Sequence, residues 1–282
     1  MRLDDQPESQ NVEDRRGGAG GGIRAGGIGG LGLVAVVVLG LIFGVDPRTL
    51  LSIVEGQQQA VSEPSGQQQA GREGGAEDAQ KQFVARVLGS TEQVWGELFQ
   101  QAGQRYEPPK LVLFSGAVQS ACGMAESAMG PFYCPRDRKV YLDTAFFRDM
   151  QTKLGAPGDF PRAYVIAHEI GHHVQNLTGR LDTGAAKSND TSVRIELQAD
   201  CYAGVWANRA NAMRGILEQG DIEQGLNAAA AIGDDRLQQR SRGYVVPDSF
   251  THGSSAQRVR WFSRGVQSGD PGQCDTFRAG QL

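Results

Sequence analysis

The sequence predicts an α+β domain, mostly helical with a small β-sheet, preceded by one transmembrane helix. Three observations carry this: an uncharged apolar stretch over residues 25–45, a Gln-, Gly- and Ser-rich stretch after it, and beyond residue 75 several helical patterns interrupted by two short β-prone runs. The 282 residues, 39% of them apolar, suffice for one large domain or two small ones. A net charge of −4 with no long basic block argues against nucleic acid as a partner.

Residues 1–24 are polar, then Gly-rich, and lack periodicity, so a disordered cytoplasmic tail is expected. Arg15-Arg16 could open a twin-arginine export signal, but a glycine tract separates the pair from the apolar run. A helix over residues 25–45 would be about 31 Å long, matching a hydrocarbon core of roughly 30 Å. A cleavable signal peptide is the alternative, disfavoured because no small-x-small site follows closely. Arg15, Arg16 and Arg24 precede the span and only Arg48 follows nearby, which predicts a single-pass signal anchor with an exported domain. Residues 46–75, with QQQA twice, read as a low-complexity linker, and residues 76–282 as the folded domain.

Within the domain, Asp78 to Leu88 and Thr91 to Ala102 show helical apolar spacing, with Thr91 as an N-cap of the second. Leu111 to Ser115 and Lys139 to Leu142 read as strands, and the second is placed to edge a cleft and pair with an extended peptide. Cys122, Cys134, Cys201 and Cys274 all fall on the exported side, and their even number suggests disulfides. Of three connectivities, Cys122 with Cys134 and Cys201 with Cys274 are favoured, the first closing a short loop and the second tying down the C-terminal tail. The absence of CxxC removes a thioredoxin-like redox reading.

Ala163 to Leu177, AYVIAHEIGHHVQNL, contains HExxH as His168, Glu169 and His172. On a helix the two histidines share a face, so both imidazoles can reach one Zn²⁺, with Glu169 beside it to take a proton from an activated water. Asp159 fits an N-cap, Pro161 falls in the first turn, and Gly179 stops the run. Gln175 and Thr178 stand where a metzincin would carry Gly and His, which excludes that class. His173, rotated about 100° from His172, reads as structural.

A second helix, Ser192 to Asn208, sets Glu196 and Asp200 on one face among apolar neighbours, where a carboxylate is costly unless paired or metal-bound. Glu196 is the expected third ligand, and Asp200 the acceptor of a ligand histidine's free ring N–H. Further on, Asp221 caps an Ala-rich helix to Ile232, and Ser254 or Ser255 opens another through Arg258, Trp261 and Phe262. His252, just before it, is a candidate donor to the oxyanion of peptide hydrolysis, with a structural hydrogen-bonding role as the alternative.

NVEDRRGG, HEIGHH, ELQADCYAG and THGSSAQRVRWF together resemble the bacterial inner-membrane family of neutral zinc metallopeptidases, over nearly the whole chain except the linker. The wider pattern is similar to gluzincins, in which HExxH is followed by ExxxD and then by a histidine six residues before an arginine, here His252 and Arg258. The resemblance implies a zincin-like α+β domain, Zn²⁺ on His168, His172 and Glu196, Asp200 behind them, and a peptide or protein substrate. It also places the chain at the inner membrane, N-terminus cytoplasmic and domain periplasmic or extracellular. The related membrane peptidases carry several spans and this chain one, so membrane-embedded substrates are not implied. The rival expectation is a non-catalytic, membrane-tethered binding module with a structural or vestigial zinc. It lacks a well-spaced fourth ligand and leaves Glu169 without a purpose. Oligomeric state is not fixed by the sequence.

Overall fold

The structure, a computed structural model, describes residues 1–16, 70–181 and 188–282. The predicted membrane helix over 25–45, the linker up to residue 69 and residues 17–24 of the predicted tail lie outside the described residues. Among the described residues no helix is long and apolar enough to cross a membrane. Met1–Arg16 and Glu77–Leu282 form one compact unit, mostly helical with small sheets. A second unit, Gly17–Ala76, is described only from Ala70, where helix α1 (Ala70–Gln101) begins.

Four strands make the main sheet: β1 (Val12–Asp14), β2 (Lys110–Phe114), β5 (Phe132–Cys134) and β6 (Lys139–Asp143), in the order β1-β2-β6-β5. β1, β2 and β6 run parallel, and β5 pairs antiparallel with β6 at the edge. β3 (Ala117–Ser120) and β4 (Gly123–Glu126) form a separate hairpin. Both faces of β2 and β6 are covered, so they are almost continuously apolar: Leu111, Leu113, Val140 and Leu142 face the helical core, while Val112, Phe114 and Tyr141 face the hairpin side.

Met1–Arg16 is therefore not a disordered tail. Leu3 is buried, the Arg2 N–H donates to the Ile216 carbonyl at 2.8 Å, and the Ser9 N–H donates to the Ala85 carbonyl at 3.0 Å. Main-chain pairing holds this segment, and such pairing leaves no side-chain periodicity to read. The same contact explains why α1 is one helix rather than two. Gly89 does not break it; a Cβ there would stand 2.1 Å from the Pro7 carbonyl oxygen, so glycine admits the N-terminal segment. Thr91 does not cap a new helix but donates its hydroxyl back to the Leu88 carbonyl at 2.7 Å. β6 also departs from expectation: it lies inside the sheet, and β5 is the edge.

Helices α2 (Ala145–Thr152), α3 (Asp159–Leu177), α4 (Asn189–Arg214), α5 (Asp221–Ala231), α6 (Asp234–Arg242) and α7 (Ser255–Ser268) complete the described domain. Gly158 rather than Asp159 is the N-cap of α3, leaving Asp159 in the first turn where its charge suits the helix dipole. α5 likewise starts from Gly220, with Asp221 in its first turn. Ser254 caps α7 in a reciprocal capping box with Gln257. α7 packs on α4 so closely that a Cβ on Gly265 would lie 2.0 Å from the Cys201 carbonyl oxygen. Cys122–Cys134 and Cys201–Cys274 both form disulfides.

Candidate metal centre

Val165, His168, Glu169 and His172 lie at helical spacings of three, four and seven and share one face of α3. α4 runs beside it and presents Glu196 and, one turn on, Asp200. His168, His172 and Glu196 each offer a ligand atom, all within 4.8 Å of one another. His168 Nε2 lies 3.1 Å from Glu196 Oε2, and His172 Nε2 lies 3.5 Å from Glu196 Oε1. Tetrahedral zinc with ligands at about 2.0–2.1 Å separates its ligand atoms by about 3.3 Å, close to both histidine–carboxylate distances.

The remaining ring nitrogens are committed. His168 Nδ1 donates to Asp200 Oδ1 at 2.9 Å, and His172 Nδ1 donates to Gln175 Oε1 at 2.8 Å. Each bond leaves Nε2 free to face a metal. Asp200 is fully buried and is held in turn by Arg258, whose Nε and Nη2 donate to its two oxygens at 2.9 and 2.8 Å, and by the Tyr164 hydroxyl at 2.5 Å. Gln175, also fully buried, donates to the Ile195 carbonyl at 2.7 Å and to Gln198 Oε1 at 3.1 Å. Gln198 donates to the Cys274 carbonyl at 2.9 Å, so the support behind His172 ends at the disulfide-tied tail. Gln175 entered the sequence reading only as a departure from the metzincin pattern, and Tyr164 not at all. Their signal was their position, three residues after His172 and four before His168 in an otherwise apolar helix.

Burial lowers the His168 pKa, but the Asp200 hydrogen bond and charge, with Glu196, outweigh it and bring it to about 10. Burial likewise opposes a charge on His172, and Glu196 raises its pKa. Glu196 thus favours a charge on both imidazoles, and their charges in turn keep its carboxyl well below the usual range. Glu169 behaves oppositely: burial raises its pKa, and its carboxylate has no hydrogen-bond partner among the described residues. A carboxylate of raised basicity facing a cleft beside three groups that could hold a metal is equipped to accept a proton.

The cleft has a volume of about 430 Å³ and is lined by His168, Glu169, His172 and Glu196, with His252 at its wall. His252 is half exposed, and its Nδ1 lies 3.2 Å from Asp234 Oδ1. The other Asp234 oxygen accepts the backbone N–H groups of Thr251, His252 and Gly253. The hydrogen bond to Asp234 raises the His252 pKa against partial burial. His252 is in the same cleft but outside the three-ligand cluster. Asp234 was not anticipated; eighteen residues from His252, it has no sequence signal. His173 is turned away: Nε2 donates to the Glu107 carbonyl at 2.7 Å, Nδ1 accepts from the Tyr133 hydroxyl at 3.0 Å, and burial brings its pKa down to about 4.

Residues 1–277 match the model of a family described as "Putative neutral zinc metallopeptidase". The chain is 50% identical to the uncharacterized protein YpfJ of Escherichia coli K12 across 98% of this chain and 99% of that one. It is 47% identical to uncharacterized proteins of Mycobacterium bovis and Mycobacterium tuberculosis, across 73% of this chain and 74% of theirs. No solved structure matches. With a family model covering almost its whole length and donor atoms spaced for zinc, the chain belongs to the neutral zinc metallopeptidase family.

Proposed function

We propose that this protein is a zinc-dependent endopeptidase in which His168, His172 and Glu196 hold the metal and Glu169 is the general base. The observation that carries the reading is Glu169: a cleft-facing carboxylate with no hydrogen-bond partner among the described residues, beside a cluster of three donors to which the described residues add no fourth. Zinc held there supplies a water of pKa near 7 and polarises a carbonyl oxygen. Glu169 takes the proton of the attacking water, a step that its raised pKa favours, and passes it to the leaving amine. His252, aimed by Asp234, donates to the oxyanion that develops as water adds to the carbonyl. β5 borders the cleft through Phe132 and Tyr133 and, among the described residues, has one unpaired edge, so an extended substrate can add to the sheet there.

A binding module with a closed structural site needs a fourth protein ligand. His168, His172 and Glu196 are the only such cluster among the described residues, and all four cysteines are in disulfides. The discriminating experiment is Glu169→Gln: zinc stays bound and cleavage of casein falls by about 10²–10⁴-fold. Turnover at the wild-type rate would overturn the role of Glu169.

The two disulfides favour an exported domain. β1 belongs to the domain's own sheet, so in this reading Met1–Arg16 shares the domain's side of any membrane. This replaces the arrangement in which the N-terminus stays in the cytoplasm. Residues 25–45 remain the candidate membrane attachment, provided that the chain returns to the side it left.

A further inference from the structure

We propose that the arm formed by α6 and the loop after it docks on an anionic lipid bilayer. The inference does not depend on peptidase activity. Two carboxylates root the arm in the domain. Asp234 accepts the backbone N–H groups of Thr251, His252 and Gly253, and Asp235 accepts the backbone N–H and the hydroxyl of Ser255 at 2.7 Å each. Between these roots every residue from Gln239 to Ser249 is exposed. Six large apolar side chains are exposed among the described residues, and four of them, Leu237, Tyr244, Val245 and Val246, stand on this arm. Tyr244 leads them with 60% of its surface open. Apolar side chains gathered so closely on a surface mark a place of contact.

Charge decides what makes that contact. Arg236, Arg240 and Arg242 are all exposed, and none forms an ion pair among the described residues; Arg240 has only a long hydrogen bond, 3.4 Å, to the Leu154 carbonyl. Asp248 is the one exposed acid of the arm. A tyrosine and two valines at a tip, with arginines behind them, suit a membrane interface: the apolar groups enter the boundary between headgroups and chains, and the guanidinium groups stay at the phosphates. The turn also brings its own hydrogen-bond partners. The Gly243 N–H donates to the Gln239 carbonyl at 3.1 Å, and the Gln239 amide donates to the Gly243 carbonyl at 3.2 Å. The Val246 N–H donates to Gln238 Oε1 at 2.8 Å, and the Ser249 hydroxyl donates to the Val246 carbonyl at 2.8 Å. Main-chain groups satisfied in this way lose little on leaving water, whereas a protein partner could supply such bonds itself. Ile232, Leu237 and His252 line the cleft, and the tip between them does not. A docked arm therefore holds the cleft close to the headgroups.

All four natural cysteines are in disulfides, so Val245→Cys offers one site for a polarity-sensitive fluorophore. Gln267→Cys is the control, exposed near the far end of α7 and about 18 Å along its axis from Ser255. Full-length protein labelled at either site is reconstituted from detergent into vesicles of phosphatidylcholine, alone or with an equal part of phosphatidylglycerol. The label reports the arm itself, whatever else holds the chain on the vesicle. With phosphatidylglycerol the Val245 label should shift to the blue and be quenched by spin-labelled lipid, and the Gln267 label should do neither. Each arginine near an anionic surface is worth about fivefold in occupancy. Changing Arg236, Arg240 and Arg242 together to Gln should therefore lower docking by up to about 10²-fold, with the melting temperature unchanged. A Val245 label that stays in water in both vesicles overturns the proposal and leaves the arm to a protein partner, and quenching of both sites alike overturns it too. So does equal insertion into phosphatidylcholine alone, or insertion that the arginine changes do not weaken, because charge would then not select the surface.

Discussion

Replacing Asp200 with Asn tests the support of the metal centre with almost no change of shape. Asp200 accepts four hydrogen bonds, two from Arg258 and one each from Tyr164 and His168. An amide nitrogen cannot accept, so the four donors would compete for one oxygen, and the charge that balances the buried Arg258 would be gone. Breaking a buried ion pair from one side costs about 3–5 kcal/mol, against a total stability of about 5–15 kcal/mol, so the variant should fold but melt early. Zinc affinity should fall separately, by about 10–100-fold, because His168 loses the acceptor that fixes its tautomer. Urea unfolding of the metal-free protein measures the first loss, and zinc titration against a competing chelator measures the second. Asp190→Asn is the control: its pair with Arg194 is exposed, so stability should change by less than about 1 kcal/mol and zinc affinity not at all. An Asp200→Asn variant that matches wild type within about twofold in zinc affinity and about 1 kcal/mol in stability would refute the network.

Zinc binding at pH 7 should release at least one proton, because His168 with a pKa of about 10 is protonated in the metal-free protein; titration calorimetry in buffers of different ionisation enthalpy measures it. The sign of the linked stability follows from the same raised pKa. In the metal-free protein the His168 contribution is complete below pH 6.5 and is lost as pH rises toward 10, whereas the opposite slope would contradict it. Single cysteines placed at Asp5 and at Gln267, both exposed, should react equally with a membrane-impermeant maleimide in intact cells or vesicles. Protection of one and not the other would mean that β1 does not join the sheet in the membrane-bound protein.

The site was legible in the sequence where its chemistry follows a helical repeat. HExxH fixed His168, Glu169 and His172 on one face, and the four-residue step from Glu196 to Asp200 placed two carboxylates facing them on the next helix. The two disulfides followed from loop length and count. What could not be read was held by contacts between distant main chains or by polar residues in isolation. β1 is three residues long and joined by main-chain bonds, so a charged segment gave no sign of it. α6 buries only Asp234 and therefore lacks an apolar stripe. Gln175 looked like a departure from another family's motif, whereas its amide aligns His172. Thr91 suggested a helix boundary, whereas its hydroxyl bonds back to the Leu88 carbonyl within one continuous helix.

The most direct test of the account is zinc content by mass spectrometry of the full-length protein and of Glu196→Ala, each shown to be folded. The account predicts one tightly bound zinc per chain in the wild type and its loss from the variant. Zinc retained by Glu196→Ala, or a folded wild type that takes up none, would contradict it.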